Sequence, residues 1–216
     1  DAARSLPSPN LGGIEEGRGG ETVHYRSPLL ADGDTHYVHL RAMDRAGLLT
    51  GETLHLGPFR IDTTLPSDIP GFAAYTATNL SEPLNLSKWL TSPQVTLAWG
   101  TSTDSDSGVA IYEITQIAQQ EPRAPVSETG NTRMFRINAG APSQWTPADV
   151  SDGAWVFRIR AGDNAGNWGT YSELTLKIDT TVSTPVLNSP SHPDSERWYA
   201  DANPIVEWTI GTDLSG

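Results

Sequence analysis

The feature that most constrains the fold is an internal repeat. Residues 32–64 run from Asp-Gly through Asp-x-Ala-Gly to Ile-Asp-Thr-Thr, and residues 152–181 repeat these motifs in the same order. A second block, two tryptophans followed by Ser-Gly, occurs at 89–108 and again at 198–216. Copies separated by roughly a hundred residues are typical of tandem domains. The chain is therefore predicted to be an array of similar modules.

The order of the two blocks places the module boundaries. The tryptophan block opens a module and the Ile-Asp-Thr-Thr block closes it, so residues 66–181 are predicted to form one complete module. Residues 1–65 are then the C-terminal half of a preceding module. Residues 182–216 are the N-terminal half of a following one.

The two half-modules are predicted not to fold independently. Joined end to end, they would make a module that lacks one strand, the equivalent of residues 110–117. Alone, each would expose an apolar sheet face and unpaired strand edges, which proteins avoid. Two explanations stay open. Either the chain is an excerpt of a longer polypeptide, or the halves of successive chains complement one another in a fibre.

Each module is predicted to be all-β. The 20 glycines and 16 prolines interrupt the chain too often for long helices. Along residues 155–161, apolar side chains alternate with Val156 and two arginines, which is the period of a strand with one buried face. The first copy shows the same alternation at Val38 and Leu40. Strands are predicted at 93–99, 110–117, 132–137, 155–161 and 173–178.

The number and spacing of these strands favour an immunoglobulin-like β-sandwich. Asp44-Arg45-Ala46-Gly47 and Asn164-Ala165-Gly166-Asn167 predict hairpin turns, with glycine where the backbone needs a positive φ. Trp208 repeats the position of Trp99, so both are predicted to face a core. The core of the complete module is predicted to contain Trp99, Tyr112, Trp155, Phe157 and Ile159.

Charge and composition exclude several partners. The formal net charge of −12 argues against nucleic acid and anionic lipid surfaces, which carry the same sign. No apolar run approaches the roughly 18 residues of a membrane-spanning helix, so no membrane insertion is expected. The chain has no cysteine, which favours a bacterial exported protein over an animal one, whose extracellular modules often contain disulfides.

These motifs resemble the fibronectin type III-like and bacterial immunoglobulin-like repeats of large exported bacterial proteins. The resemblance implies tandem β-sandwich modules, one complete and two partial, in an extracellular or cell-surface protein. It implies no single function, because such modules serve as spacers, stalks, adhesins and enzyme appendages. The matching residues are Trp99, Ser107-Gly108, Tyr112, Asp152-Gly153-Ala154-Trp155, Ala161, Asp163-Asn164-Ala165-Gly166-Asn167 and Ile178-Asp179-Thr180-Thr181.

No set of residues predicts an enzyme. The sequence contains no Gly-x-Ser-x-Gly nucleophile motif. His36 and His39 are three apart on a predicted strand, so they point to opposite faces and cannot bind one metal ion together. Asp104 and Asp106 lie in a loop without the environment that makes paired carboxylates an acid and a base. The chain is predicted to be non-catalytic and to hold no organic cofactor.

Calcium is the one cofactor that the sequence suggests. Residues 104–108 begin like an EF-hand loop, but the glycine comes one position early and Thr115 stands where glutamate should close the loop. The resemblance offers a better candidate, because aspartates at module junctions bind calcium in some related adhesin arrays and stiffen the linker.

The predicted ligands are an aspartate that ends a module, Asp62 or Asp179, and an aspartate in a loop of the same module, Asp44 or Asp163. The alternative is that each aspartate only caps its own turn through the backbone.

Two functions stay open. The first is a structural or adhesive array whose partners are neighbouring modules or neighbouring copies of the protein. The second is a set of accessory modules of a secreted enzyme, which would contact a glycan or another surface ligand. Trp168 follows a turn and is the tryptophan most expected to be exposed for stacking on a sugar.

Overall fold

The computed structural model describes residues 20–77, 79–119, 132–148, 150–211 and 215, which form eleven β-strands and no helix. Among these residues, none belongs to a helix long and apolar enough to cross a membrane. The strands are β1 (Gly33–Leu40), β2 (Leu54–Ile61), β3 (Ala73–Thr76), β4 (Val95–Ala98), β5 (Val109–Gln119), β6 (Thr132–Asn138), β7 (Gln144–Trp145), β8 (Gly153–Asp163), β9 (Ser172–Ile178), β10 (Val186–Asn188) and β11 (Glu207–Thr209).

A β-sandwich occupies residues 73–178, inside the range of the predicted complete module. Its smaller sheet has the order β3-β4-β7 and its larger sheet the order β6-β5-β8-β9. All neighbouring strands are antiparallel, and the longest ladder joins β5 to β8. The all-β prediction is confirmed. Both the first and the last residue of each of the five predicted strands lie within two residues of those of an observed strand. Strands β3 and β7 were not predicted because they have only four and two residues and carry little periodicity.

The core lies between the two sheets. Tyr112, Phe157 and Ile159 are at most 1% exposed, and Trp99 packs edge-on against Tyr112 with ring centroids 5.5 Å apart. Burial of an aromatic side chain of this kind contributes about 2–3 kcal/mol. Trp155 differs from the prediction, because it is only half-buried near the start of β8, where its Nε1 donates to the main-chain oxygen of Ser151.

Two further hairpins flank the sandwich. In the repeat, the β1–β2 hairpin corresponds to β8–β9, and β10–β11 corresponds to β3–β4. Each flanking hairpin lacks a facing sheet in the described part of the chain, so its apolar face is uncovered. Leu40 is 60% exposed, and Trp208, which was predicted to face a core, is 65% exposed. Apolar and polar side chains alternate along these strands as predicted, but the described residues include no second sheet that covers the apolar side.

Candidate cation site at the junction loops

Each Ile-Asp-Thr-Thr end is tied to the Asp-Gly that begins its own hairpin. Asp32 Oδ1 accepts hydrogen bonds from the main-chain N–H and the hydroxyl of Thr63, both at 2.9 Å, and Oδ2 accepts from the Thr64 hydroxyl at 2.8 Å. These bonds hold the pKa of Asp32 below its usual value, and the bond from the Thr64 hydroxyl has the largest effect. In the second copy, Asp152 Oδ1 accepts from the main chain of Thr180 at 3.1 Å and from its hydroxyl at 2.8 Å. We call this arrangement the Asp–Thr latch.

The aspartate of each Ile-Asp-Thr-Thr end reaches forward to the next tryptophan block. Asp62 Oδ2 accepts from the main-chain N–H of Ser107 at 3.1 Å. Asp179 Oδ2 accepts from the main-chain N–H of Ser215 at 3.0 Å. In both copies the other carboxylate oxygen accepts from the N–H two residues further on, at 3.0 and 3.2 Å. We call this repeated contact the Asp–Ser bridge.

The turn after β8 presents a third aspartate to the first junction. Asp163 is 6% exposed, and its Oδ1 accepts from three successive main-chain N–H groups, those of residues 165, 166 and 167, at 2.7–2.9 Å. Oδ2 accepts from the Asn167 side chain at 2.8 Å. Burial raises the pKa of Asp163 more than any single hydrogen bond lowers it, but the bonds from Asn167, Gly166 and Ala165 together outweigh burial and leave the pKa below its usual value.

The loop after β4 contributes Asp104. Its Oδ1 accepts from the main-chain N–H groups of Asp106, Ser107 and Gly108 at 3.2, 3.0 and 2.9 Å, which closes the loop on itself. Its Oδ2 is fully buried and has no hydrogen-bond partner among the described residues. A buried carboxylate oxygen without a donor or a cation is costly, so this atom is a candidate ligand for a cation or an ordered water.

These loops bring carboxylates together at one point. One oxygen each from Asp62, Asp104 and Asp163 lies within 4.8 Å of the other two, and Asp32, Asp62 and Asp106 form a second set that meets the same distance limit. Calcium binds oxygen at about 2.4 Å, so two ligands on opposite sides of one ion are about 4.8 Å apart. Magnesium, which binds oxygen at about 2.0–2.1 Å, also fits within this distance limit, whereas calcium differs in accepting a larger and more flexible shell of six to eight oxygens.

The four predicted calcium ligands are placed in different environments. Asp62 and Asp163 are brought together, with Asp62 at the end of the β1–β2 hairpin and Asp163 at the end of β8 in the sandwich. Asp44 belongs to neither carboxylate set, and its Oδ1 accepts from the main chain of Ala46 and Leu48 at 2.9 and 2.8 Å. The reason is hairpin geometry. The Asp44 turn closes one end of β1–β2 and Asp62 follows the other end, with about eight residues, roughly 26 Å, of strand between them.

Two residues set aside in the sequence analysis belong to the carboxylate sets. Asp104 and Asp106 do not follow the EF-hand pattern, but they lie in the loop that meets the preceding hairpin's open end. Asp179, the counterpart of Asp62, forms the Asp–Ser bridge of the second junction. Asp213, the counterpart of Asp106 in the repeat, lies outside the described residues. The sequence signal that could have found the acidic site is the repeat. In tandem modules, the end of one module is expected to lie beside the loops of the next.

Trp168 is not available as an open sugar-stacking platform. It is half-buried, and its ring lies so close to Gly162 that a Cβ atom there would be 2.9 Å from the indole. The guanidinium of Arg160 lies 4.4 Å from the Trp168 ring centroid and 4.7 Å from that of Tyr171. Both rings therefore serve to hold Arg160 on the outer face of the larger sheet.

Arg160 in turn pairs with a buried glutamate that the sequence analysis missed. The Glu113 side chain is 1% exposed, and it accepts from Arg160 at 2.6 Å and from Arg136 at 3.1 Å. Burial raises the pKa of Glu113, but the two arginines outweigh burial and leave the pKa below its usual value. In the alternation of β5, Glu113 is an outward residue, and it becomes buried beneath Arg136, Arg160 and Tyr171, whose hydroxyl lies 3.5 Å from Glu113 Oε1.

No family model matches the chain, and no curated protein matches it. Among solved structures, the chain is similar to the rat CD45 extracellular region, domains d3-d4. The TM-score is 0.39 and the sequence identity 8%, and the match covers 81% of this chain and 78% of that chain.

Proposed function

We propose that this chain is a non-catalytic structural or adhesive segment of a secreted or cell-surface protein, built from tandem fibronectin type III-like sandwich modules with calcium-stiffened junctions. The observation that carries the proposal is made at Asp104, whose buried Oδ2 lacks a partner in the described residues and whose carboxylate offers an oxygen within 4.8 Å of oxygens of Asp62 and Asp163.

The repeated junction supports the tandem arrangement. The Asp–Thr latch and the Asp–Ser bridge each occur twice, with the same atoms at equivalent positions. A flexible linker samples many conformations and is not expected to form the same side-chain hydrogen bonds in both copies. The segment between Asp62 and the sandwich is also short, and Pro66 within it is buried and restricts the backbone. Adjacent modules are thus held at a defined angle.

The carboxylates explain why a cation would add rigidity. Asp62 belongs to the end of the β1–β2 hairpin, whereas Asp104 and Asp163 belong to loops of the sandwich. An ion bound by all three joins two modules through charged groups that otherwise repel one another. Calcium sites of extracellular modules typically have dissociation constants of about 10⁻⁴–10⁻³ M, a range suited to an exported protein. Such an array acts as a stiff spacer, with neighbouring modules as its first partners.

The test uses the whole 216-residue chain. Thermal unfolding and small-angle X-ray scattering are measured in millimolar calcium and in excess chelator, with magnesium as the control cation. We expect calcium to raise the melting temperature and to narrow the distribution of interatomic distances, and we expect magnesium to do less. An unchanged melting temperature and unchanged scattering in calcium would refute the calcium-stiffened junction.

A further inference from the structure

A pair of histidines faces across the β1–β2 hairpin. His39 on β1 is the register partner of His55 on β2, and their Nδ1 atoms lie 2.5 Å apart. The rings are nearly perpendicular, at 81°, with centroids 4.7 Å apart. His36 and His39, the two histidines that are close in sequence, share one strand. The partner of His39 comes from the neighbouring strand and is sixteen positions away along the chain.

The second copy of the repeat shows which face of the sheet carries this pair. There the equivalent cross-strand partners are Arg158 and Glu173, which form an ion pair at 2.7 Å on the outer face. Their side chains are 39% and 47% exposed. The neighbouring Val38 corresponds to Phe157, which points into the core. His39 and His55 therefore lie on the solvent side, and a sheet packed on the opposite face would leave them accessible.

We infer that His39 and His55 form a two-histidine binding site for a late transition metal ion, with Zn²⁺ as the best match. Imidazole nitrogen is a preferred ligand of zinc, copper and nickel, whereas calcium prefers oxygen. This site is therefore chemically distinct from the carboxylates at the junction.

The geometry requires only a small adjustment. Zinc binds imidazole nitrogen at about 2.0–2.1 Å, so two nitrogens in a tetrahedral shell are about 3.3 Å apart. The Nδ1 atoms, now 2.5 Å apart, must separate by less than about 1 Å, which rotation of either side chain supplies. Without metal, one ring donates its N–H to the other ring's lone pair. With metal, both rings are neutral and both lone pairs point at the ion, while water fills the remaining positions.

Bound metal would cross-link the two strands of this hairpin. Tyr37 stacks on His39 with ring centroids 6.2 Å apart, which limits the orientations of that imidazole. A metal clip between cross-strand partners opposes separation of β1 from β2 in the same way as the Arg158–Glu173 ion pair in the sandwich, but more strongly. The hairpin would then be stabilised by zinc at one place and by the Asp–Thr latch at its open end.

The test is a titration of the whole chain with Zn²⁺ in saturating calcium, so that the junction carboxylates are already occupied. Calorimetry measures affinity and stoichiometry, and the histidine ring resonances in NMR identify the ligands. We expect one zinc site and resonance changes confined to His39 and His55. The double variant H39R/H55E, which places the second copy's ion pair in the first hairpin, is expected to stay folded and to lose this site.

Two control variants and one substitute variant make the outcome decisive. His36→Ala is expected to keep the zinc site, because His36 Nε2 bonds to the main-chain oxygen of Ala31 and not to the pair. Asp104→Asn is expected to keep it as well, which separates this site from the proposed calcium junction. If the double variant fails to fold, His55→Asn takes its place. This variant should bind zinc at least roughly 10- to 100-fold more weakly, because losing even a residue that only hydrogen-bonds a metal ligand costs that much affinity. Zinc binding unchanged in H39R/H55E and His55→Asn, or no binding to the original chain, would overturn the inference.

Discussion

The side chain of Asn167 donates a hydrogen bond to the main-chain oxygen of Asp62 at 3.1 Å, across 105 positions of sequence. The same Nδ2 group donates to Asp163 Oδ2 at 2.8 Å. One amide thus connects the closing turn of the sandwich to the end of the preceding hairpin, and it does so beside the three carboxylates of the candidate calcium site. The junction contains a direct contact between the β1–β2 hairpin end and the sandwich in addition to any ion.

Replacement of Asn167 by Ala is expected to loosen this junction. The variant loses the bonds to Asp62 and to Asp163, at a cost of about 1–2 kcal/mol for hydrogen bonds of this kind. Because the sandwich core is untouched, we expect small-angle scattering to show a broader range of shapes with only a modest fall in melting temperature. Asn164→Ala, which breaks the bonds to Ser107 and Gly108 inside the sandwich, is the matched control. Equal scattering from the two variants would argue against a specific role for Asn167.

Replacement of Asp104 by Asn is expected to remove the calcium response. The variant keeps an oxygen that can accept the three main-chain bonds but removes the charge of the unpartnered Oδ2. Calcium affinity, measured by calorimetry, should fall by about tenfold or more, because ligand charge sets the strength of such sites. Asp44→Asn is the control, since Asp44 only caps its own turn. A parallel loss in Asp44→Asn would show that the effect is one of overall charge.

Replacement of Phe157 by Ala is expected to destabilise the sandwich by about 3–5 kcal/mol, because the side chain is fully buried and leaves a cavity. Trp155→Ala should cost about half as much, since that side chain is half-buried at the edge of the core. Urea unfolding followed by the fluorescence of the remaining tryptophans measures both. Trp155→Ala as damaging as Phe157→Ala would mean that the indole packs more deeply than its exposure indicates.

The pH dependence of stability should reflect Glu113. Its pKa is lowered in the folded protein from the ordinary 4.5, so the stability it contributes is complete above that value and is lost as pH falls through the lower, folded pKa. Glu113→Gln is expected to destabilise the fold at neutral pH by less than the roughly 3–5 kcal/mol of a fully buried pair. The cost is smaller because Arg136 is 60% exposed.

The pH control compares the two proteins in acid. The difference in urea-derived stability between the original chain and Glu113→Gln should shrink as pH falls from about 4.5 through the lower, folded pKa of Glu113, below which both proteins lack the charge. Asp163, whose pKa is lowered from 3.8, is present in both proteins, so both lose the stability that it contributes at lower pH. A difference that stays constant down to pH 3 would assign the effect to packing and not to the ion pairs.

The sequence by itself determined the features that depend on neighbours along the chain. Strand alternation at Phe157 and Ile159, the turn glycines at 47 and 166, and the repeated Ile-Asp-Thr-Thr ends are all local patterns, and the strands and core that they predict are observed. Each of these patterns reports backbone geometry or the side of a strand on which a residue lies. Such properties follow from steric rules that act over a few residues.

The tertiary structure alone decided which distant residues meet. Asp104 joins Asp62 and Asp163, Glu113 becomes buried beneath arginines, and His39 faces His55, although no local pattern links the members of each group. These contacts form because strand register and the packing of loops at a junction bring together residues that are far apart in sequence. Charge and coordination then depend on distances of a few ångströms, which periodicity cannot specify. The scaffold could therefore be predicted from the chain, whereas the candidate sites required the fold.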